Sequence, residues 1–532
     1  MNERPRILIA DELDPAGLEL LAKDGAEVRQ LGKDERDRLP EILPDFDALV
    51  VRSATKVTAD LLRAGKSLKV VGRAGIGVDN VDVAAATELG ILVVNAPTAN
   101  LMSATEHTFA LLLSLARKVP FADASMKAGE WNRKITGVEL QGKTLGVVGF
   151  GRIGQRVADR ARGFEMQVVA FDPFLDAAAA RRMQVELLSL DELLSRADVV
   201  TLHTPLTPET RNLIGRERLA KMKPGALLVN CARGGIVDEA ALLEALESGP
   251  IGGAALDVYA EEPPTDLKLV RHPKVVATPH LGAQTHEAQE RISRETAEMV
   301  LAALAGSMAV AAVNLPFRPA GGRAEPYLAL GERLGWMAGQ LLGAPPQLLR
   351  VDNHGVEEAF HVPVSVAVLK GVLTPYMGEG INYVNAERVA ESRGIETVRS
   401  THSAPGDYSH LVSVTLSGGG KTVQIDGTLF RERDPRVVCL GGYPLEFRPE
   451  GRLLFLENRD VPGVVGKIGT LLAGAKVNIA DIHLARRPEE GSGEREALAV
   501  LRVDQAVDDE LLSRLAALPE VRSVRSVDLQ TT

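Results

Sequence analysis

Three short motifs of this 532-residue chain carry side chains that could move a proton. NCARGGIVDE holds Arg233, LDVYAEEPP holds Glu261 and Glu262, and TPHLGAQTHEA holds His280. A histidine titrates near neutrality and suits a general base. A carboxylate beside it fixes the imidazole tautomer and stabilises imidazolium. An arginine grips a carboxylate, or the charge developing on a carbonyl, through a planar fork of donors. Together the three types suit removal of a proton from a hydroxyl next to a carboxylate. Each alone could be a surface cation, a loop acid or a helix-entry residue, so the weight lies on the set.

A second pattern offers a place for an electron acceptor. Gly149-Phe150-Gly151-Arg152-Ile153-Gly154 follows the apolar run TLGVV and precedes the helical QRVADRARGF. In such a loop Gly149 makes the tight turn, Gly151 lets the backbone approach a pyrophosphate and Gly154 allows close helix–strand packing. The helix start presents free N–H groups and the positive end of its dipole. Asp172 ends QVVAFD, 18 positions after Gly154. A carboxylate there binds both ribose hydroxyls and repels a 2′-phosphate, which favours NAD. Strand, loop, helix and acid in this order are far more specific than the glycines alone. No metal site is expected, because Cys231 and Cys439 stand far apart and no HExxH spacing occurs. Of the other histidines, His107 reads as structural or as a subunit contact. His203 ends a strand and could line the cofactor pocket, and His286 reads as an exposed helix residue.

These loops need strands to carry them. ILIA (7–10), ALVV (48–51), LKVVG (68–72) and ILVVN (91–95) alternate with helical patterns. The rhythm resumes at TLGVVGFG, QVVAFD, ADVVTLH, ALLVNCA and IGGAALDVY. Continuous apolar runs between amphipathic helices imply parallel sheets covered on both faces. Ligands of such sheets bind at the carboxyl ends of the strands, where the three motifs stand. Between the two series, Ser103–Lys127 reads as one long crossing helix, kinked near Pro120. FRPAGGRAE (317–325) is a linker, and helices over 328–342 and 367–377 follow it. Beyond residue 451 the order is β-α-β-β-α-β, the ferredoxin-like arrangement. The expected domains are 1–98 with 285–316, 99–284, 317–450 and 451–532.

Composition agrees with a soluble multidomain enzyme. Apolar residues are 45% and charged residues 25%. The net charge of −10 argues against a nucleic-acid partner, and 4% aromatic residues argue against a base-stacking surface. MNERPRILIADELD has no apolar core of a signal peptide, and the uncharged run 299–313 is too short to span a membrane. It reads as a helix end and a short strand. No membrane partner is expected, and the expected location is the cytoplasm.

VRSATKVT, GRAGIGVDNVD, NAPTAN, ATEHTFALLLSLAR, GKTLGVVGFGRIG, NCARGGIVDE, LDVYAEEP and TPHLGA together resemble the D-isomer-specific 2-hydroxyacid dehydrogenase family, in its long form. The resemblance implies a Rossmann-type NAD domain inserted in a flavodoxin-like substrate domain, then an α+β intervening domain and an ACT domain. It implies that Arg233 binds and polarises substrate, that Glu262 pairs with the histidine and that His280 is the acid/base. It implies cofactor contacts at Ile76, Arg152, Ile153, Asp172, Thr204, Cys231, Ala232, Arg233, Asp257, His280, Gly282 and Ala283, besides Gly149, Gly151 and Gly154. The activity implied is oxidation of 3-phospho-D-glycerate to 3-phosphooxypyruvate. The rivals are another 2-hydroxyacid dehydrogenase, acting on glyoxylate, hydroxypyruvate or 2-oxoglutarate, and a non-catalytic NAD sensor.

A phosphorylated 2-hydroxy acid is a double anion. Arg52 with Ser53, Arg73 and Arg133 are the candidate cations; Gly75 and its neighbours offer backbone N–H groups, and Asn100 a side-chain hydrogen bond. ENRDVPGVVGKIG and KVNIADI resemble ACT signatures, which implies an L-serine effector at Asn458 and Asn478. Leu456 stands where some serine-inhibited relatives have histidine. Paired subunits, as a homodimer or homotetramer, are expected from the crossing helix and the ACT-like end.

Overall fold

The computed structural model describes residues 4–23, 25–307, 312–317, 322–404, 407–487 and 495–529. Parts of the 299–313 run and of the 317–325 linker lie outside these residues.

Four sheets organise the chain. The first is β1 (Arg6–Ile9), β2 (Glu27–Gln30), β3 (Ala48–Val51), β4 (Val70–Arg73) and β5 (Leu92–Asn95). All its pairings are parallel, in the order β2-β1-β3-β4-β5. That is the flavodoxin-like order. The second is β6 (Thr144–Val148), β7 (Gln167–Phe171), β8 (Glu186–Leu187), β9 (Val199–Leu202), β10 (Leu227–Asn230), β11 (Gly253–Leu256) and β12 (Val275–Ala277). Its order is β12-β11-β10-β9-β6-β7-β8, again parallel. The chain leaves β6 to one side for β7 and to the other for β9, which opens a crevice at the carboxyl ends of the strands.

The helix His286–Leu304 returns to the first sheet. Ile292, Ala297 and Val300 share a core with Ile7, Ile9 and Val50. The two chain passages between the sheets are tied together. Arg291 Nε donates to the Ala99 carbonyl at 2.9 Å, and the Thr98 hydroxyl donates to Glu295 at 3.0 Å. Val313 N–H bonds the Val93 carbonyl at 2.7 Å, so a short bridge does follow the helix.

The crossing helix is two helices. Leu101–Ala116 ends at Arg117, and Val119–Lys127 starts afresh. The break falls at Lys118, whose φ is 53°. Pro120 sits in the first turn of the second helix, where its missing N–H leaves no bond unmade, so it causes no kink.

The third sheet is β13 (Leu348–His354), β14 (Glu396–His402), β15 (Leu411–Gly418), β16 (Lys421–Phe430), β17 (Asp434–Leu440) and β18 (Tyr443–Phe447), in the order β14-β13-β15-β16-β17-β18. The helices Glu325–Leu342 and Glu358–Met377 pack on it. The second starts at Glu358 rather than 367: it runs through Pro363 because Val364, Val366 and Val368 are wholly buried there. It alone among the described helices is long and apolar enough to cross a membrane, and 61% of its most apolar stretch is core. This unit rests on the first sheet's rim, where Asn382 Nδ2 donates to the Gly90 carbonyl at 2.7 Å.

The last sheet is β19 (Arg452–Arg459), β20 (Ile479–Arg486), β21 (Glu496–Val503) and β22 (Val521–Asp528), antiparallel in the order β20-β21-β19-β22. Val464–Gly474 and Asp509–Ala516 are its two helices. Its other face joins the core of the third unit through Leu453, Phe455 and Leu498.

Candidate active site

The glycine loop is built as its spacing requires. Gly149 has φ 89°, and a Cβ there would lie 2.7 Å from the His203 carbonyl oxygen. A Cβ on Gly154 would lie 2.2 Å from the Gly149 carbonyl oxygen. Gly151 caps the helix Arg152–Gly163 and faces open space. The Asp172 carboxylate accepts from Phe150 N–H at 2.8 Å and from Phe174 N–H at 2.9 Å, which fixes it at the end of β7. Thr204 Oγ1 is buried with no hydrogen-bond partner among the described residues. An open helix start, a fixed acid and an orphaned hydroxyl at one rim fit a dinucleotide. Arg152 reaches across to the Pro97 carbonyl at 3.4 Å, and the half-buried Ile153 packs beside the loop.

The three motifs converge at the ends of β10, β11 and β12. His280 Nδ1 lies 2.7 Å from Glu262 Oε2, and Glu262 Oε1 accepts from Tyr259 N–H at 3.1 Å. Burial opposes ionisation of Glu262, but His280 and the Tyr259 N–H outweigh it and hold its pKa below the usual carboxylate value. With Nδ1 committed to the carboxylate, Nε2 of His280 is the ring atom left for a substrate proton. Glu261 is spent elsewhere, on the Thr265 hydroxyl at 2.7 Å.

The backbone of His280 is left-handed, with φ 56°. Its N–H bonds the Asp257 carbonyl at 2.8 Å, and the next two N–H groups, of Leu281 and Gly282, bond the Asp257 carboxylate at 2.7 and 2.8 Å. Thr278 Oγ1 and His107 Nε2 complete that carboxylate's shell at 2.6 and 3.1 Å. Burial would raise the pKa of Asp257, but these bonds together lower it. Asp257 is thus a clamp on the 280–282 turn, and His107 is its support from the Leu101–Ala116 helix. Ala283 continues the turn into the core below the first sheet. The Cys231 thiol, 3.6 Å from Asp257 Oδ2, is pushed up by burial and by that negative neighbour. It is no nucleophile. His203 accepts or donates to Thr201 Oγ1 at 2.9 Å, and burial pushes its pKa down to about 4. His286 opens an exposed helix turn.

Two arginines meet over the loop 75–78. Arg233 Nε donates to Asp79 Oδ2 at 2.9 Å and Nη1 to the Ala232 carbonyl at 2.7 Å. A Cβ on Gly77 would lie 1.8 Å from Arg233 Nη2, and one on Gly75 would lie 1.7 Å from Arg73 Nη1. Burial, then the charge of Arg233, lowers the pKa of Arg73 to about 10, with Arg52 adding to the same effect. Arg73 Nε is buried with no partner among the described residues, as is Asn100 Oδ1. Crowded cations with unmet donors form a seat for an anion. Ile76 is held by its carbonyl, which accepts from Asn95 Nδ2 at 2.6 Å. Ser53 is exposed beside Arg52. Arg133 lies on an exposed stretch and makes no hydrogen bond or ion pair with these groups among the described residues, so one chain does not bring it to them.

The comparisons follow the same division. Residues 109–282 match the D-isomer specific 2-hydroxyacid dehydrogenase NAD binding domain, 323–441 the D-3-phosphoglycerate dehydrogenase intervening domain and 452–520 the ACT domain. The chain is 42% identical to the D-3-phosphoglycerate dehydrogenase of Bacillus subtilis, over 98% of this chain and 99% of that one. It is 44% identical to that of Mycobacterium bovis, over 99% of each. The chain belongs to the D-3-phosphoglycerate dehydrogenase family. A solved protein of Thermus thermophilus is similar over 58% of this chain and 99% of its own, at 39% identity and a TM-score of 0.54. Family membership makes the chain an NAD-dependent dehydrogenase.

Sequence reading did not single out Asp79, Asn80, Asn95 or Asn230. Asn80 Nδ2 bonds the carbonyls of Arg52 and Thr55 at 2.7 and 2.6 Å, and Asn230 clamps the turn of Ala232 and Arg233 at 3.1 and 2.9 Å. For Asn95 and Asn230 the available signal was a polar residue closing an apolar strand run; Asp79 and Asn80 lie in the loop after β4 and had none. The two ACT asparagines are not brought together. Asn458 pairs with Ala497 at one end of β21, whereas Asn478 bonds Asp504 at 2.7 Å beyond the other end. Antiparallel register separates them, so no single ACT unit unites them in one effector site.

Proposed function

We propose that the chain oxidises 3-phospho-D-glycerate at C2 to 3-phosphooxypyruvate with NAD, the first step of L-serine synthesis. The observation that carries this reading is the Glu262–His280 pair beside Arg233, at the mouth of a dinucleotide loop. The Gly149–Gly154 loop, Asp172, Thr204 and the backbone of Cys231–Arg233 would hold the cofactor, with Asp257 keeping the His280–Ala283 turn against it. Bound NAD supplies the hydride acceptor. His280 Nε2 takes the C2 hydroxyl proton, and Glu262 stabilises the resulting imidazolium. Arg233 holds the substrate carboxylate and the developing carbonyl, while Arg73 and Arg52 favour the second anionic group, aided by Ser53, Gly75 and Asn100. The half-buried charge of Arg73, whose Nε is unmet among the described residues, supports a doubly anionic substrate over lactate or glyoxylate.

The assembly reading is a homotetramer built from two contacts. The helix Val119–Lys127 buries none of its residues, and Trp131 beside it is 78% exposed. Such an apolar arm suits a second copy. Ile482 and Leu484 are exposed on β20, an edge strand suited to ACT pairing. An L-serine site, if built from Asn458 and Asn478, needs both copies. The location proposed is the cytoplasm, with no nucleic-acid or membrane partner. NADH formation tests the reading. Turnover with 3-phospho-D-glycerate well above that with glycerate, lactate or 2-hydroxyglutarate supports it. Tight NAD binding without turnover of any 2-hydroxy acid would establish a sensor instead.

A further inference from the structure

Between the third sheet and the ACT sheet lies a cavity of about 240 Å³. Leu341 and Leu440 wall it from one unit, and Phe455 and Leu498 from the other. All four are buried. Two cations stand over this apolar floor: Lys421, the first residue of β16, and Arg525 on β22. Neither has an ion-pair partner among the described residues. Arg525 also lies beside Gly343, at the C-terminus of the Glu325–Leu342 helix, which suits its charge but does not neutralise it with a carboxylate. The one acid of the lining, Glu457, accepts the Ser523 hydroxyl at 3.0 Å. In the other basic hollow of the third unit two of the three arginines, Arg436 and Arg448, are paired with Asp434.

We propose that this cavity binds a small carboxylate with an apolar body. Lys421 and Arg525 hold the head, and Leu341, Leu440, Phe455 and Leu498 take the body. The volume lies below the range of about 300–1,000 Å³ usual for drug-sized ligands, so the occupant is the size of a small metabolite. One occupant touches both units, so its binding stabilises their docking, the more so the further its concentration exceeds its Kd. The proposal does not depend on the catalytic reading above.

The test is calorimetric titration of the full-length chain with 3-phenylpropionate. One saturable site per chain is expected. Lys421→Glu and Arg525→Glu should each weaken it about tenfold or more, the worth of one charge-assisted bond. Both substitutions lie far along the chain from the catalytic motifs and should keep the parent's turnover. Inorganic phosphate, a head without a body, should bind about tenfold more weakly at least. No saturable binding, or equal affinity in both charge-reversed variants, would overturn the proposal. Tighter binding of L-phenylalanine would also overturn it, since Glu457 would then be recognising an ammonium group.

Discussion

Asp79 holds Arg233 across the cleft between the first and second sheets, its Oδ2 2.9 Å from Nε. The pair joins residues 154 positions apart. It leaves Nη2 beside Gly77 as the part of the fork best placed for a substrate carboxylate. Asp79→Ala should let the guanidinium swing away and lower kcat/KM about ten- to hundredfold, as a misplacement of about 1 Å does. Asp79→Asn keeps an oxygen acceptor and should retain most of the activity. Steady-state kinetics of the two variants checks this, and equal losses in both would remove Asp79 from the positioning role.

The His280–Glu262 pair should carry the proton chemistry. His280→Ala is expected to lower kcat by about 10²–10⁴, the usual worth of general base catalysis. Glu262→Gln keeps the shape but lets the ring adopt the wrong tautomer, and should lose a comparable amount. Both should still bind NAD, as measured by quenching of protein fluorescence. Near-parent turnover in either variant would reassign the base.

Asp172→Ala should raise the KM for NAD about ten- to hundredfold, because two hydrogen bonds to a charged acceptor are lost. The 2′-phosphate of NADP would meet less repulsion, so the NAD/NADP preference should narrow. Initial rates with both cofactors decide it.

Arg73→Met removes a half-buried cation. The loss in kcat/KM should be larger for a phosphorylated 2-hydroxy acid than for its unphosphorylated analogue. Equal losses for both would place Arg73 outside the phosphate seat.

His203 should make the fold acid-sensitive. Burial holds its pKa at about 4, against about 6.5 in an unfolded chain. The unfolded state therefore takes up the proton first as the pH falls. Stability is fully present above about pH 6.5 and is lost progressively toward pH 4, by about 3 kcal/mol in all. The thermal midpoint of the parent should fall more steeply between pH 6.5 and 5 than that of His203→Gln.

The reacting residues were legible because their chemistry is written in their types. Arg233, Glu262 and His280 stand directly after apolar strand runs, and Gly149, Gly151 and Gly154 have spacing that only a tight loop needs. Asp79 was not legible, since its partner is set by how two sheets close on each other. The strand Glu27–Gln30 has no buried residue, being an edge, so no apolar run announced it. Pro120 looked like a kink because proline reads the same inside a helix and at a helix start; only the turn at Lys118 separates the two cases. Asn458 and Asn478 looked like one site because sequence says nothing of which end of a sheet each residue reaches.

The paired passages near residues 98 and 285, bonded through Arg291 and Glu295, also determine how the two lobes can move. A single tether would allow twist and tilt in any direction. Two tethers lying side by side behave like the two plates of a door hinge and leave one axis of rotation. Rotation about that axis would bring Arg73 and Arg233 back to the same mutual position, so the seat for the acid and the clamp on the imidazole would meet in one register.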